Sequence, residues 1–504
     1  MIDNVKTDQT VFPDPAYKDT VLAPLFEGAK THFVAAVRSI NQAHLVMLHE
    51  TKIITTNQAK TIAEALIDID QNLDISQLEY TGEYEDYFFL VEAELIKRVG
   101  VDVAGVLHTA RSRNDMDHTV FKTVLTTRLD ELLELMHSLA DAMIITADRE
   151  KATLIVAYTH GQPAQPSTFG HYLAAAIEVL LRDIERLHAA RTGLEKCPMG
   201  AAAITTSGFP IDRHRMAELL GFKAPLQNSY SCIAAVDYVT SLYSSMKLTF
   251  LHLGRLVQDF QFWSSFEVAQ LYVPNSFVQI SSIMPQKRNP VPIEHLRLLS
   301  SITVGRCDTM VNIMHNTPFT DMNDSEGEVQ QAGYGAFETG GRVLKLLAAF
   351  IPALSINAEA VRANTDKSCI TVTELADALV RGEGLSFRQA HEIAALTAQA
   401  VIAAKQPLGL GYAAFVEAFK TEVGQAPKLT QSAYEITVSA ENFIAVRARF
   451  GGPAAAPMAN ALNGYREELA KWQQQATGNL NFKNESENNR YALFLNLKNE
   501  QGNL

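Results

Sequence analysis

The sequence QISSIMPQKRNPVPIEH, from Gln279 to His295, separates a segment without helical periodicity from a long apolar-periodic one. Two serines, a lysine, an asparagine and a glutamate lie between Ser281 and Glu294. Proline suits the first position of a helix, so Asn289-Pro290 predicts a helix start. The residues before it are then a loop, and Glu294 lies one turn inside the helix. Such a loop brings hydroxyl groups and a fixed cation to one place.

The composition of this loop suits chemistry on a carboxylate. Lys287 and Asn289 can stabilise developing negative charge while a serine oxygen moves a proton. From the residues alone, a surface loop with a solvated Lys287 is the alternative.

The stretch resembles the signature of the fumarase/aspartase superfamily, G-S-S-x-M-P-x-K-x-N-P, with Ile280 in place of the glycine. Its lysine-then-arginine version is most similar to that of the argininosuccinate lyases, and further matches follow over about residues 20 to 465. The resemblance implies that Ser281, as an alkoxide stabilised by Lys287 and loop amides, removes a Cβ proton. Lys287 and Asn289 would hold the resulting aci-carboxylate, and Ser282 would contact the substrate.

A polar segment from Leu107 to Asp115 resembles the argininosuccinate lyase motif H-T-G-R-S-R-N-D-Q, with Ala110 for glycine and Met116 for glutamine. Taken alone, the segment is a helix-entry loop whose arginines could be surface charges. The residues that the resemblance implies for binding the succinyl carboxylates are Ser112, Arg113 and Asn114. Arginine suits this role because its planar fork pairs carboxylates through two hydrogen bonds.

A loop from Tyr158 to Pro166 carries a histidine among glycine and proline residues, which favours a functional role over a structural one. It resembles the family's T-H-x-Q-x-A-Q-P, which implies that Thr159 and Gln162 bind substrate and that His160 is catalytic. The family pairs this histidine with a glutamate thirteen residues beyond the catalytic serine, which is Glu294 here. A carboxylate partner would orient His160 and raise its pKa. Whether His160 supplies a proton or shapes charge at the carboxylate is open.

Two segments depart from the argininosuccinate lyase pattern. Glu85–Phe88 reads E-D-Y-F where the family has E-D-I-H, so a site histidine is missing. The family segment that holds the arginine part of the substrate reads like T-Y-N-K-D-L-Q-E-D-K, and here it is T-D-M-N-D-S-E-G-E. The acids that replace the mixed polar and basic set are Asp321, Asp324, Glu326 and Glu328. They are either a solvated helix start or a pocket, led by Asp321, for a positively charged leaving group.

The chain is predicted to be all-α, with a long central helix bundle. The predicted regions are an N-terminal helical domain (1–110), a central long-helix bundle domain (111–365), a C-terminal helical domain (366–472) and a flexible tail (473–504). The five long helices are predicted over Asp117–Lys151, Ser167–Glu195, Ile233–Glu267, Pro290–Met314 and Glu328–Phe350. They are apolar on more faces than one partner covers, which indicates burial between subunits. The resemblance implies a homotetramer with a twenty-helix core.

Composition narrows the class of protein. A net charge of −13 and a pI near 5.6 over 504 residues argue against nucleic-acid and membrane-surface partners. The four cysteines are widely spaced, as in reduced cytoplasmic proteins, and they predict neither disulfides nor a metal site. The amino end lacks a signal-peptide pattern, and no apolar run is long enough to span a membrane.

These observations predict a cytoplasmic carbon–nitrogen lyase that reversibly eliminates an amine from an N-substituted aspartate, giving fumarate. The partner is this small-molecule succinate derivative, with argininosuccinate as the first hypothesis. No metal and no organic cofactor is implied, because the substrate carboxylate is itself the electron sink. One alternative is a lyase for another amine- or diamine-substituted succinate. The other is a non-catalytic homologue like the lens crystallins of this fold, against which the retained site residues argue.

Overall fold

The computed structural model describes residues 11–499, which are mainly helical. In the first part of the chain the α-helices are α1 Pro15–Tyr17, α2 Ala23–His32, α3 Val34–Glu50, α4 Thr56–Asn72, α5 Tyr87–Val99 and α6 Val101–Ala104. The middle contains α7 Arg113–Arg149, α8 Phe169–Arg191, α9 Arg213–Leu219, α10 Ser231–Ala234, α11 Asp237–Trp263, α12 Val291–Ile313 and α13 Gly327–Ala353. The last part contains α14 Ala358–Ser368, α15 Val372–Glu383, α16 Phe387–Ala403, α17 Tyr412–Val423, α18 Gln431–Thr437, α19 Ala440–Ala445 and α20 Ala455–Asn499.

Short strands pair two by two among these helices, so the described chain is not purely α. The pairs are β1 Leu154–Thr159 with β2 Gln162–Thr168, β3 Lys196–Cys197 with β4 Ala224–Pro225, β5 Leu271–Tyr272 with β8 Ser355–Ile356, and β6 Gln279–Ile280 with β7 Arg288–Asn289. Only β3 and β4 run parallel. The remaining turns are a π-helical turn at Lys18–Leu22 and 3-10 turns at Ile75–Gln77, Gly105–His108, Thr192–Leu194, Asn275–Phe277, Asn323–Ser325 and Leu408–Leu410. Among residues 11–499, no helix has both the length and the apolar character that crossing a membrane requires.

Five long helices form a closed bundle in the spatial order α7, α8, α11, α12, α13 and back to α7. Side-chain contacts fix their directions. Lys247 of α11 bonds Asp308 of α12, and Gln258 of α11 bonds Arg297 of α12, so these two helices are antiparallel. Arg128 of α7 lies over the Tyr334 ring of α13, and Arg149, further along α7, donates to the Pro352 carbonyl, further along α13, so these two helices are parallel. The starts of α7, α11 and α13 therefore share one end of the bundle, the first end, and the start of α12 lies at the opposite, second end.

The five long helices predicted from periodicity are all present, with ends that differ by a few residues. Helix α7 begins at Arg113 because Ser112 and Asp115 form a capping box just before it. Helix α11 begins at Asp237 because the preceding residues form the separate short helix α10. Pro290 is the capping residue of α12, which begins one residue later than Asn289-Pro290 predicted.

The predicted flexible tail over 473–504 is wrong for 473–499, and its last five residues lie outside the described chain. Helix α20 is 45 residues long and packs along α7, α4, α3 and α8. Many of its polar residues are good helix formers, and its widely spaced apolar side chains pack into the groove between those helices. Trp472 and Phe494 are buried there, and the Lys483 ammonium donates a 2.8 Å hydrogen bond to the Thr127 hydroxyl of α7.

A second apolar core lies in residues 369–438, where α15, α16, α17 and α18 pack together. Its largest members are Phe415, Phe419 and Tyr434. Buried Glu374 ties this core to α19 because its carboxylate accepts a 2.8 Å hydrogen bond from Arg447. Helix α20, whose first residues fall inside the predicted C-terminal domain, packs on the long bundle instead.

Phe494→Ala should lower the free energy of unfolding by about 3 kcal/mol, because the ring is 1% exposed and the site would be left as a cavity. Tyr491→Ala is the matched control, since Tyr491 lies on the same helix and is 52% exposed. The measurement is urea unfolding followed by circular dichroism. Equal midpoints for the two variants would contradict the packing of α20 on the bundle.

Candidate active site

The Ser112-Arg113-Asn114 motif lies at the first end of the bundle, where a buried carboxylate fixes it. Asp115 accepts hydrogen bonds from the backbone amides of Ser112 at 2.9 Å, Gly200 at 2.8 Å and Ala202 at 3.1 Å. Ala110, at the position of the family glycine, has a φ of 57°. This left-handed conformation costs an alanine about 1 kcal/mol, which accounts for glycine in the motif it resembles.

Asp321 lies directly against this motif, although it is 207 residues away from Asn114 in the sequence. The Asn114 amide donates a hydrogen bond to the Asp321 carboxylate, and the Ser112 hydroxyl donates one to the Asn114 side-chain oxygen. The structure therefore brings Asp321 against Ser112 and Asn114, which the sequence nominated in a separate motif. Asn114 is hydrogen-bonded to one carboxylate oxygen of Asp321 in this state, so a substrate carboxylate must displace one of the two side chains to reach Ser112 and Asn114.

Arg113 is already paired within its own chain. Its guanidinium donates to Asp86 at 2.8 Å and contacts Glu85 at 3.0 Å, and it lies 4.9 Å from the centre of the Phe89 ring. Its role in binding substrate stays a prediction. Phe88, which replaces the family histidine, is buried.

Further carboxyl groups lie near Asp321. Motif comparison met Asp86 only as part of the Glu85–Phe88 segment, and it did not identify Asp117. Burial, together with the nearby Glu326 and Asp86 carboxylates, raises the pKa of Asp117 well above its usual range. Burial and the adjacent Asp321 carboxylate raise the pKa of Glu326 to about 7. Asp117 follows Asn114 by three residues, so both lie on one face of α7. That spacing is the only local sequence signal that could have found it.

The signature loop lies at the second end of the bundle, between β6 and β7. The Ser281 hydroxyl oxygen accepts a 3.1 Å hydrogen bond from the Met284 amide. Ser282 and Lys287 are exposed, and no carboxylate pairs with Lys287 among the described residues. Arg288 is held at the base of the loop by the Val273 carbonyl at 2.8 Å and lies over the Tyr272 ring. Lys287 is thus the available cation of the loop.

Two features lie beside this loop. Ile280, at the position of the family glycine, is 78% exposed in the short strand β6, where no left-handed backbone is needed. The segment Glu267–Ile280, which lacks helical periodicity, is held at Gln270, whose side chain bonds both backbone groups of Val156, at 2.8 and 3.3 Å. The exposed part of this region is the loop from Ser281 to Lys287.

The histidine loop is the tip of the β1–β2 hairpin. His160 and Gly161 have φ of 54° and 72°, as a tight two-residue turn requires. Thr159, His160 and Gln162 are exposed there, and His160 lines a cavity of about 700 Å³ whose walls are polar, aliphatic and aromatic. Glu294 is exposed on the first turn of α12. No hydrogen bond or ion pair joins Glu294 to His160 within one described chain, so their pairing stays a prediction.

The length of the bundle separates the two groups of residues. Helix α12 has 23 residues, and at 1.5 Å per residue it spans about 35 Å. Ser112, Asn114 and Asp321 lie near one end of that span, whereas Ser281, Lys287 and His160 lie towards the other. A succinate derivative is far shorter than this distance. One copy of the chain therefore keeps these two groups of candidate residues apart.

Comparisons with known proteins place the chain in a family of lyases. A family model described as "Lyase" matches residues 27–305, and one described as "Argininosuccinate lyase C-terminal" matches residues 369–445. Argininosuccinate lyase 2 of Agrobacterium fabrum is 61% identical over 94% of this chain and 95% of its own. Argininosuccinate lyase 1 of Shouchella clausii is 32% identical over 92% of this chain and 93% of its own. The fold and the motif loops thus define a member of the lyase superfamily that contains fumarase and aspartase.

Solved structures support the same placement. EDDS lyase in complex with formate superposes with a TM-score of 0.82 at 25% identity, over 97% of both chains. An EDDS lyase variant with bound fumarate superposes with a TM-score of 0.81 at 26% identity, over 96% of both chains. Within the superfamily, the chain belongs to the argininosuccinate lyase family.

Glu326→Gln should raise the stability of the protein more at pH 8 than at pH 5. The folded-state pKa of Glu326 is raised to about 7 from an ordinary 4.5, so the folded protein holds the proton more tightly than the unfolded chain. The corresponding stability is present below about pH 4.5 and is lost as the pH rises through about 7.

Thermal unfolding midpoints of parent and variant at the two pH values measure this effect. Glu328→Gln is the control, because Glu328 belongs to the same segment but is exposed. A pH-independent effect of Glu326→Gln, or the same effect in the control, would contradict burial of Glu326 beside Asp321.

Proposed function

We propose that this protein is a carbon–nitrogen lyase that converts argininosuccinate to arginine and fumarate, reversibly. The observation that carries the proposal is 61% identity to an argininosuccinate lyase over 94% of the chain. Ser281, Lys287, Asn289 and His160 are all present in their motifs. Their retention favours an enzyme over a non-catalytic homologue of crystallin type.

The chemistry starts at Ser281. Its oxygen, as an alkoxide, takes the Cβ proton of the aspartate moiety, and the electron pair moves into the adjacent carboxylate. A free serine is too weak a base for this step, and the Met284 amide that donates to the Ser281 oxygen favours the ionised form. Lys287 lies in the same exposed loop and supplies positive charge for both the alkoxide and the aci-carboxylate.

Collapse of the aci-carboxylate then breaks the bond between Cα and the amine nitrogen. The electron pair forms the double bond of fumarate, and the departing nitrogen takes a proton. Asn289 would hold the aci-carboxylate, while Ser112, Asn114 and Thr159 would hold the substrate carboxylates. His160, oriented by Glu294, either supplies the proton or shapes charge at the carboxylate.

The active form in this proposal is a homotetramer with sites shared between chains. The two incomplete sites of one chain lie about 35 Å apart, so they can be completed only by another copy. Large apolar side chains remain exposed on α11 and α12, among them Leu251 and the 55% exposed Leu298. These surfaces fit burial against identical helices of symmetry-related chains.

A second candidate substrate is a succinate that carries a diamine. The observation that favours it is the Asp321 carboxylate against Asn114, at the segment that would read the leaving amine. The superposed solved structures are named EDDS lyases. Comparing kcat/KM for argininosuccinate and a diamine-derived succinate in the parent enzyme separates the two candidates.

Ser281→Ala should reduce fumarate formation, followed by ultraviolet absorbance, at least about a thousandfold, because it removes the only candidate for the strong base. The hydroxyl lies in an exposed loop, so circular dichroism and the oligomeric mass should not change. Activity within tenfold of the parent would overturn the role of Ser281 and move attention to Ser282 or His160.

Mixing two inactive variants should restore activity if sites are shared. Asn114→Leu damages the first end of the bundle and Ser281→Ala the second. In randomly mixed tetramers, about a quarter of the sites would combine an intact first end with an intact second end. Activity should rise towards that fraction after subunit exchange. No recovery in tetramers proven to be mixed would contradict the shared site.

A further inference from the structure

His118 is a fully buried histidine, one turn beyond Asn114 on α7, that faces the Asp321 carboxylate. Its Nδ1 lies 3.2 Å from the Tyr238 hydroxyl. Among residues 11–499 its Nε2 has no hydrogen-bond partner, and it lies 3.9 Å from Oδ1 of Asp321, a buried oxygen that also lacks a partner there. Two unsatisfied polar atoms thus face each other at the edge of the candidate site. Unsatisfied buried polar groups are costly, so native structures rarely keep them without a reason.

The protonation of His118 follows from its surroundings. Burial and the Lys122 ammonium lower its pKa to about 4, and the Ile233 carbonyl beside the ring only partly offsets this. The ring is therefore neutral at neutral pH. When the Tyr238 hydroxyl donates to Nδ1, the ring proton lies on Nε2, directed towards Asp321.

Asp117, the residue before His118, adds a carboxyl group to the same region. That region therefore has an excess of negative charge. The Asp117 carboxylate makes no hydrogen bond or ion pair among the described residues, and it lies within electrostatic range of Glu326, Asp321 and Asp86. The nearby cation, Arg113, is occupied by Asp86 and Glu85. Like charges gathered in a partly buried place need either protons or a cation.

We propose that Asp117 and His118 are specificity-determining residues, and that with Asp321 and Glu326 they form a subsite for a protonated amino group on the leaving amine. This inference rests on the proposed β-elimination. Asp117 and Asp321 bind the ammonium group directly. His118 is a positioning residue, which donates its Nε2 hydrogen to Asp321 and keeps that carboxylate in place once Asn114 turns to the substrate.

The subsite selects a chemical class of leaving group. A short diamine presents a bare ammonium group to the acids. The arginine part of argininosuccinate also carries an ammonium group, but a carboxylate lies on the same carbon, and the acids would repel it. The protein should therefore accept aspartates N-substituted with an aminoalkyl group at least as well as argininosuccinate.

The test compares two substrates that differ by one charge, N-(2-aminoethyl)aspartate and N-propylaspartate, with fumarate formation as the readout. The parent should favour the aminoethyl substrate by about tenfold or more in kcat/KM, which is the effect of one good ion pair. Asp117→Asn should remove most of that preference by raising KM for the aminoethyl substrate. Asp324→Asn, a change of an exposed acid in the same segment, should leave the preference intact.

Variants of His118 separate positioning from packing. Glutamine can place an amide donor near the position of Nε2, so His118→Gln should retain the preference, whereas His118→Leu should lower it at unchanged thermal stability. If His118→Leu does not fold, Asp117→Asn and His118→Gln decide the matter. No preference in an active parent, or one that survives Asp117→Asn, would overturn the subsite. No fumarate from any N-substituted aspartate, argininosuccinate included, would instead overturn the proposed function.

Discussion

The length of the central helices is the constraint on which the rest of the molecule depends. A helix of 23 residues holds its two ends about 35 Å apart, and five such helices packed in a ring cannot shorten that distance. The motif loops lie at the ends of these helices, so the sequence that builds the bundle also separates the candidate site residues into two groups. In the proposed shared-site arrangement, a second copy of the chain completes each site. The apolar residues left exposed on α11 and α12 would then be buried against that second copy.

The two ends of the bundle differ in charge, and the difference matches the two halves of the proposed substrate. The second end offers Ser281 and the exposed Lys287, which suit a carboxylate that gains negative charge during elimination. The first end gathers carboxyl groups around Asp321, which suit the amine that departs. A substrate held between two chains would therefore bridge a cationic and an anionic surface. The charges of the two surfaces would therefore set the orientation of the substrate even without specific hydrogen bonds.

The fold could be predicted wherever burial produces a periodic spacing of apolar residues in the sequence. The five long helices have such a spacing, and their predicted ends missed mainly where a cap or a short extra helix intervenes, as at Ser112 and α10. The region from 473 to 499 was misjudged because its composition is polar. Its helix is held by a few distant side chains, such as Phe494 and Lys483, whose partners lie hundreds of residues away. The composition of a segment cannot show that other segments form a groove in which it packs.

The candidate site was predictable only where a motif marks it. The signature nominated Ser281 and Lys287, and a departure from the motif nominated Asp321. Asp117 and His118 gave no comparable signal, because their environment is created by Glu326 and Asp321, about two hundred residues further along the chain. Contacts of that kind follow from the parallel arrangement of α7 and α13, which no local pattern records.

The central claim is that the first end of one chain meets the second end of another. Electron paramagnetic resonance can measure this in mixed assemblies of two singly labelled chains, one carrying a spin label at Gln286→Cys and the other at Asp324→Cys. Both positions are exposed, and all four native cysteines are buried, so labelling is selective. Because both loops would contact one substrate, the account predicts a distance between labels on different chains of about 15–30 Å. Mixed assemblies that show only longer distances would contradict it.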